Sequence, residues 1–202
     1  RLVDDQVQFT VSEGVEQLHQ GIELDFVAKP QPEVPYTVRG FVSVGDWKYQ
    51  NQAFSRTYNE DRELLEESSS DVDGGDVGDA AQFTAGIGLD IELAERLSVD
   101  GDIRFYDNLF ADVGPTANNL ELPNYQLMDL GLSYKMLLDS GSLDIRLNLN
   151  NVFDKIYLGE LRTAIVAGDE DATGVLYNGI DTGNEGFFGL GRTWNLSLRY
   201  NF

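Results

Sequence analysis

The sequence predicts an all-β chain: an antiparallel transmembrane β-barrel segment of about eight strands, with short periplasmic turns and long extracellular loops. Three observations carry this. Apolar residues recur at every second position through most of the chain, which is the strand period. Most of these runs approach the ten or so residues that a tilted membrane-crossing strand requires. Short and long connections alternate along the chain, as they do when one end of every hairpin faces the periplasm.

In chain order, residues 2–11 alternate only from Val7 through Phe9 to Val11 and are read as a strand. Ile22, Leu24, Phe26 and Ala28 oppose Glu23 and Asp25. Residues 36–49 form the next strand, with Phe41 and Val42 side by side and their faces undecided. Phe83, Ala85, Ile87, Leu89, Ile91 and Leu93 alternate with Thr84, Gly86, Gly88, Asp90 and Glu92. Leu97, Val99, Ile103 and Phe105 oppose Ser98, Asp100, Asp102, Arg104 and Tyr106. Leu130, Leu132, Tyr134 and Met136 oppose Asp129, Gly131, Ser133 and Lys135. A run over 143–158 begins with Leu143, Ile145, Leu147 and Leu149, and the last strand carries Trp194, Leu196, Leu198, Tyr200 and Phe202 on one face. Pro30–Pro35, Ala94–Arg96 and Asp139–Ser142 are the short connections. Residues 50–80, 108–124 and 159–186 are the long ones.

Composition excludes several functions. With 14 Lys+Arg against 35 Asp+Glu the net charge is −21, so the chain would repel phosphate, and nucleic acid is not a partner. There is no cysteine and a single histidine, His19, which removes thiolate metal sites, cysteine nucleophiles and histidine-dependent triads. His19 reads as an incidental residue near a strand end. Asp107, Asp112 and Asp129 supply carboxylates, but nothing assigns any two of them to one substrate; the chain is not read as an enzyme. Hydrophobic residues make up 42%, enough to argue for a fold. No apolar run reaches the length of a membrane helix. The opening Arg-Leu-Val-Asp-Asp-Gln has no signal-peptide pattern and is expected to belong to a mature or partial chain.

The C-terminal residues then show a resemblance. Asn-Val-Phe-Asp-Lys at 151–155, Tyr157, a long loop, Gly-Arg-Thr-Trp at 191–194 and an alternating strand ending in Phe202 resemble the C-terminus of TonB-dependent outer-membrane receptors. Gly78-Asp79-Ala80-Ala81-Gln82, Gly45-Asp46-Trp47-Lys48-Tyr49, Tyr106-Asp107-Asn108-Leu109 and Phe188-Gly-Leu-Gly-Arg192 resemble the branch common in Bacteroidetes-type bacteria. The resemblance runs from about residue 14 to residue 202. It implies that residues 1–202 are the C-terminal part of a plugged 22-strand barrel, roughly its last third, with the plug domain and earlier strands outside it. It further implies a bacterial outer-membrane location and energy-coupled import of a scarce nutrient, most often an iron-siderophore type chelate. The implied partners are the TonB complex through the plug region, the outer-membrane assembly machinery, the lipid bilayer, lipopolysaccharide and a small-molecule ligand. The chain alone is not expected to transport.

Under the same resemblance, Trp194, Leu196, Leu198, Tyr200 and Phe202 form the assembly signal read by the insertion machinery and then the lipid face. Tyr49, Tyr58, Tyr106, Tyr177 and Phe187 are candidates to stack on a ligand, and Arg104 and Arg162 to pair with its carboxylates. Each has a plainer reading as a girdle or loop-packing residue. Asp71, Asp73 and Asp76, with Gly74 and Gly75, suggest a calcium loop. Position twelve from Asp71 is Gln82, where a bidentate glutamate is needed, so a solvated acidic loop is the default; Asp169, Glu170 and Asp171 form a weaker cluster. No cofactor other than calcium is suggested. The alternatives are a complete eight-stranded outer-membrane barrel with a structural or adhesive role and a secreted β-sandwich binding module.

Overall fold

A computed structural model describes residues 2–3, 6–29 and 35–202. The described residues contain strands and no helix. Seven long strands build one antiparallel sheet: β1 Glu16–Ala28, β2 Tyr36–Gln50, β3 Phe83–Ala94, β4 Leu97–Asp107, β5 Tyr125–Leu138, β6 Gly141–Asn150 and β7 Thr193–Asn201. They pair in chain order as a meander with β1 and β7 at the two edges, so the sheet is open among the described residues. The turns after β3 and β5 are tight, as expected; the expected turn at Pro30–Pro35 lies, apart from Pro35, outside the described residues.

The period-two pattern sorts the sheet into two faces because successive side chains point to opposite sides. Pairing keeps like with like: Ile145 sits opposite Tyr134 and Leu198, whereas Arg146 sits opposite Ser133 and Ser197. One ladder row shows how the strands are staggered. It runs from Trp194 through Leu149, Leu130, Gly101, Leu89 and Val38 to Ala28. Trp194 lies near the long-loop end of β7, whereas Ala28 is the last residue of β1 at the short-turn end. Such a shear between neighbours is what a sheet of tilted strands needs in order to close into a barrel.

The register also decides Phe41 and Val42. Val42 pairs with Leu24 and Ala85 on the apolar face, so Phe41 belongs to the polar face, opposite Gly86. A Cβ on Gly86 would stand 2.5 Å from the Phe41 ring. Gly131 plays the same part beneath an ion pair: the Arg146 guanidinium on β6 crosses it to reach the Asp100 carboxylate on β4, at 2.8 and 2.9 Å. A Cβ at Gly131 would lie 2.5 Å from both partners. Gly131→Val is therefore expected to displace that pair. Arg146 and Asp100 are partly solvated, so the expected loss is about 1–2 kcal/mol. Thermal unfolding of the parent and variant checks it; equal midpoints would show that the pair swings aside freely.

Three expectations change. Residues 2–11 do not make one wall strand: Leu2–Val3 pairs with Gln6–Val7, and Phe9–Glu13 pairs with Gln52–Tyr58. The long connections are not plain loops, because Leu64–Asp71 pairs with Gln52–Tyr58, Leu109–Phe110 with Glu121–Leu122, and Leu158–Leu161 with Gly186–Phe188. The run over 143–158 breaks at Asn151, which takes a positive φ of 50°. Asparagine tolerates that conformation better than β-branched residues do.

The buried apolar clusters lie at the long-loop end, in what we call the crown. One joins Leu109, Ala111, Leu122, Leu158, Leu161 and Ile180; a smaller one joins Tyr49, Ala53, Val72 and Val77. The aliphatic face of the wall is the reverse, with Ile22 77% exposed and Trp194 71%. Backbone hydrogen bonds bind the crown segments together: Asp79 N–H donates to Phe110 O, Gln82 N–H to Asn108 O and Asp112 N–H to Leu161 O.

Candidate functional site

The polar face and the crown hold the chemistry. Charged side chains on the polar face are cross-paired between strands. Arg39 on β2 pairs with Asp90 on β3, Arg146 on β6 with Asp100 on β4, and Arg104 on β4 with Asp129 on β5. Arg104 Nε also lies 2.9 Å from Asp102 Oδ2. Alternation places these groups on one face; Arg39 and Arg104 reach a carboxylate on the neighbouring strand, and Arg146 reaches across β5 to β4. Toward the short-turn end, a concavity of about 670 Å³ is lined by Arg96, Lys135, Asp144, Arg146, Asn148 and Arg199, among others.

Where wall meets crown, the Tyr125 ring stacks between Tyr106 at 4.8 Å and Tyr157 at 4.2 Å. The Tyr157 ring lies directly over Gly189, where any Cβ would collide with it. A side chain at position 189 would therefore force the Tyr157 ring to move.

The turn at 151–155 explains why the two resembling segments belong together. Asn151 is 5% exposed. Its side chain accepts from Lys155 N–H at 2.8 Å and donates to the carbonyls of Lys155 at 2.9 Å and Leu190 at 3.0 Å. Asp154 Oδ1 accepts the Arg192 N–H at 2.7 Å. Residues 151–155 thus hold the returning segment 189–192 by polar contacts.

The candidate ligand contacts fall into separate places. Tyr49 is 5% exposed, within the smaller crown cluster. Tyr58 ends the strand Gln52–Tyr58, opposite Phe9 and Leu64. Arg104 is committed to Asp129, and Tyr106 to the tyrosine stack. Arg162 and Phe187 do come together: the guanidinium sits 4.8 Å from the ring centroid and donates to Glu160 at 2.8 Å. Tyr177 meets Phe188 edge-on at 5.6 Å. Arg162, Phe187, Tyr177 and Phe188 therefore share the 158–188 segment, apart from Tyr49 and Tyr58. Trp194, Leu196, Leu198 and Tyr200 line the apolar face of the edge strand β7, and Phe202 follows just beyond its end, fully exposed.

The acidic residues 71, 73 and 76 are engaged singly. Asp76 pairs with Lys48 at 2.6 Å, Asp73 accepts from Asn51 N–H and Asp71 from Asp73 N–H. Among the described residues, no group of three acidic or histidine side chains is arranged to hold a metal ion. Gln82, at the twelfth position, instead ties two backbone segments together. Its side chain accepts the Trp47 N–H at 2.8 Å and donates to the Trp47 and Val77 carbonyls. His19 lies within β1 rather than at its end and stacks on Trp47 at 5.2 Å.

Sequence reasoning missed Tyr125, Tyr157 and Asn151 as site residues. The available signal was an asparagine opening the motif at 151 and tyrosines at facing ends of neighbouring strands. It also missed Asp181, which accepts from Thr173 N–H and Oγ1, Gly174 N–H and Gly183 N–H at 2.8–3.0 Å. These donors hold its carboxyl down to about 2, because hydrogen bonds to the charged form favour it. A depressed carboxyl contributes stability fully above its unfolded value of about 3.9, and that contribution is lost as pH falls toward 2. Asp181→Asn is therefore expected to speed amide exchange at Thr173, Gly174 and Gly183 at pH 5. Below pH 2, where the carboxyl is protonated in the parent, the difference should vanish; one that persists there would contradict the assignment.

No family model matches the chain, and no curated protein matches it. Among solved structures, the siderophore receptor PiuA from Acinetobacter baumannii is similar at a TM-score of 0.46 and 18% identity, over 81% of this chain and 21% of that one. The chain thus spans about a fifth of that receptor's length. A likeness of this size assigns no role to any residue here.

Proposed function

We propose that this chain is wall and extracellular crown of a β-barrel receptor in a bacterial outer membrane, part of a TonB-dependent importer of a scarce small molecule such as an iron-siderophore chelate. One observation carries the membrane reading. The wall turns its aliphatic side chains outward while its opposite face is polar and ion-paired, and its buried apolar clusters lie in the crown instead. A water-soluble sheet would hide that aliphatic face, since soluble monomers rarely expose large contiguous apolar patches. Lipid accepts such a face, and aromatic residues flank it: Phe83, Phe105 and Trp194 toward the crown, Tyr36, Tyr134, Tyr200 and Phe202 toward the short turns. Lipid does not accept an open sheet edge, so β1 and β7 would take partner strands from a longer polypeptide. That favours the receptor over a complete eight-stranded barrel.

These 202 residues contain no cysteine, so thiols introduced among them can be compared with the parent protein as the labelling background. In cells producing the full-length protein, an impermeant maleimide should label Asp169→Cys in the crown. It should spare Ser140→Cys in the short turn until the outer membrane is permeabilised. Equal or reversed labelling overturns the orientation. Uptake of a labelled ferric chelate should stop when TonB is deleted; undiminished uptake overturns energy-coupled import.

A further inference from the structure

The ion pair on the wall and the base of the crown share one carboxylate. Asp129, on the polar face of β5, accepts from the Arg104 guanidinium of β4 on Oδ2 and from the Asn151 N–H on Oδ1 at 2.7 Å. The neighbouring Val152 N–H donates to Met128 O at 2.8 Å, so the 151–155 turn is bound to β5 at two successive residues. Asn151 in turn holds both polar backbone groups of Lys155 and the Leu190 carbonyl of the returning segment. Tyr157, two residues beyond Lys155, stacks on Tyr125 of β5 and covers Gly189. The contacts that seat the stem of the 158–188 segment on β5 therefore pass through 151–157, and the charged one ends on Arg104.

We propose that Asp129 is a positioning residue that latches the 158–188 part of the crown to the wall, with Arg104 orienting its carboxylate. The physical case is the fork in the carboxylate. Arg104 fixes one oxygen by a charge-assisted bond, which aims the other at a backbone N–H that has no strand partner. Asn151 is buried, so losing its acceptor leaves that N–H unsatisfied, which costs more than an ordinary hydrogen bond contributes. The turn then has reason to leave its positive-φ conformation and release residues 155 and 190 together. The inference rests on these contacts and not on the transport reading, so the two fail separately.

Trypsin provides a local readout, because Lys155 is exposed while both of its backbone groups are bound. Cleavage of an ordered segment tracks its opening equilibrium. In the full-length protein in detergent, Asp129→Ala, which removes the acceptor outright, should raise the rate of cutting after Lys155 about tenfold, the loss expected for a charged hydrogen bond. Cutting after Arg62, in a different hairpin, should not change. Arg104→Gln should act in the same direction and more weakly, since it leaves Asp129 in place. Arg146→Gln breaks a wall ion pair that has no link to the turn, and should leave Lys155 at the parental rate. Asn151→Ala, which spares every wall ion pair, should match Asp129→Ala, and combining the two should add little. The latch is overturned if Asp129→Ala cuts at the parental rate, if Arg146→Gln acts as strongly, or if the double variant is fully additive.

Discussion

Leu147→Arg is expected to destabilise the assembled protein by about 2–4 kcal/mol, the cost of an arginine facing lipid near the bilayer midplane. Leu147 is paired with Leu132 on one side and Leu196 on the other, in the middle of the apolar row Leu143, Ile145, Leu147 and Leu149. The next residue, Asn148, lies on the polar face with Asn195 as its partner at 2.8 Å. Asn148→Arg should change stability by less than about 1 kcal/mol, because a solvated lumen accepts the charge. The adjacent positions thus make a test of the faces. If both faces met water, Leu147→Arg would fall within about 0.5 kcal/mol of the parent. Equilibrium unfolding of the full-length protein from lipid vesicles measures the difference. A pair of near-neutral variants would remove the membrane reading.

Leu161→Ala is expected to loosen the crown by about 2–5 kcal/mol while leaving the wall in place. Leu161 is 1% exposed and sits in the cluster that joins Leu109, Ala111 and Leu122 to Leu158 and Ile180. Removing its isobutyl end leaves a cavity within the cluster that joins these segments, and its own carbonyl accepts the Asp112 N–H at 2.7 Å. Hydrogen exchange should therefore rise at Ala111 and Asp112, and the ladder from β3 to β6 should stay protected. Such a separation follows from the distribution of packing, since the crown holds the buried clusters and the wall holds the long ladders. Uniform acceleration through wall and crown would show instead that they unfold as one unit.

Much of the wall was legible in the chain. Alternation is a local property, and a residue one position from its neighbour must face the other way; the sides of Ile87, Asp102 and Leu198 follow without knowledge of their partners. Connection lengths likewise gave the hairpin order and the antiparallel sense. Phe41 shows where that stops. Its side was undecidable next to Val42, and it settled only because a glycine on the neighbouring strand leaves room for a phenyl ring on the polar face.

The crown was legible only in part. The motif segments 151–157 and 188–192 could be singled out, but not the reason for their coexistence. That reason is a set of contacts across some thirty-five residues, with Asn151 on Leu190, Asp154 on Arg192 and Tyr157 over Gly189. The acidic run at 71–76 suggested calcium by composition, with a solvated loop as the default, and three-dimensional pairing gives each carboxylate a different partner. What the residues alone determined is the two-sided wall, because strand periodicity is built into each backbone step. Only the tertiary structure decided the crown, because strands such as Leu109–Phe110 and Ile180–Asp181 are too short for a period to show and its packing joins residues as distant as Leu109 and Ile180.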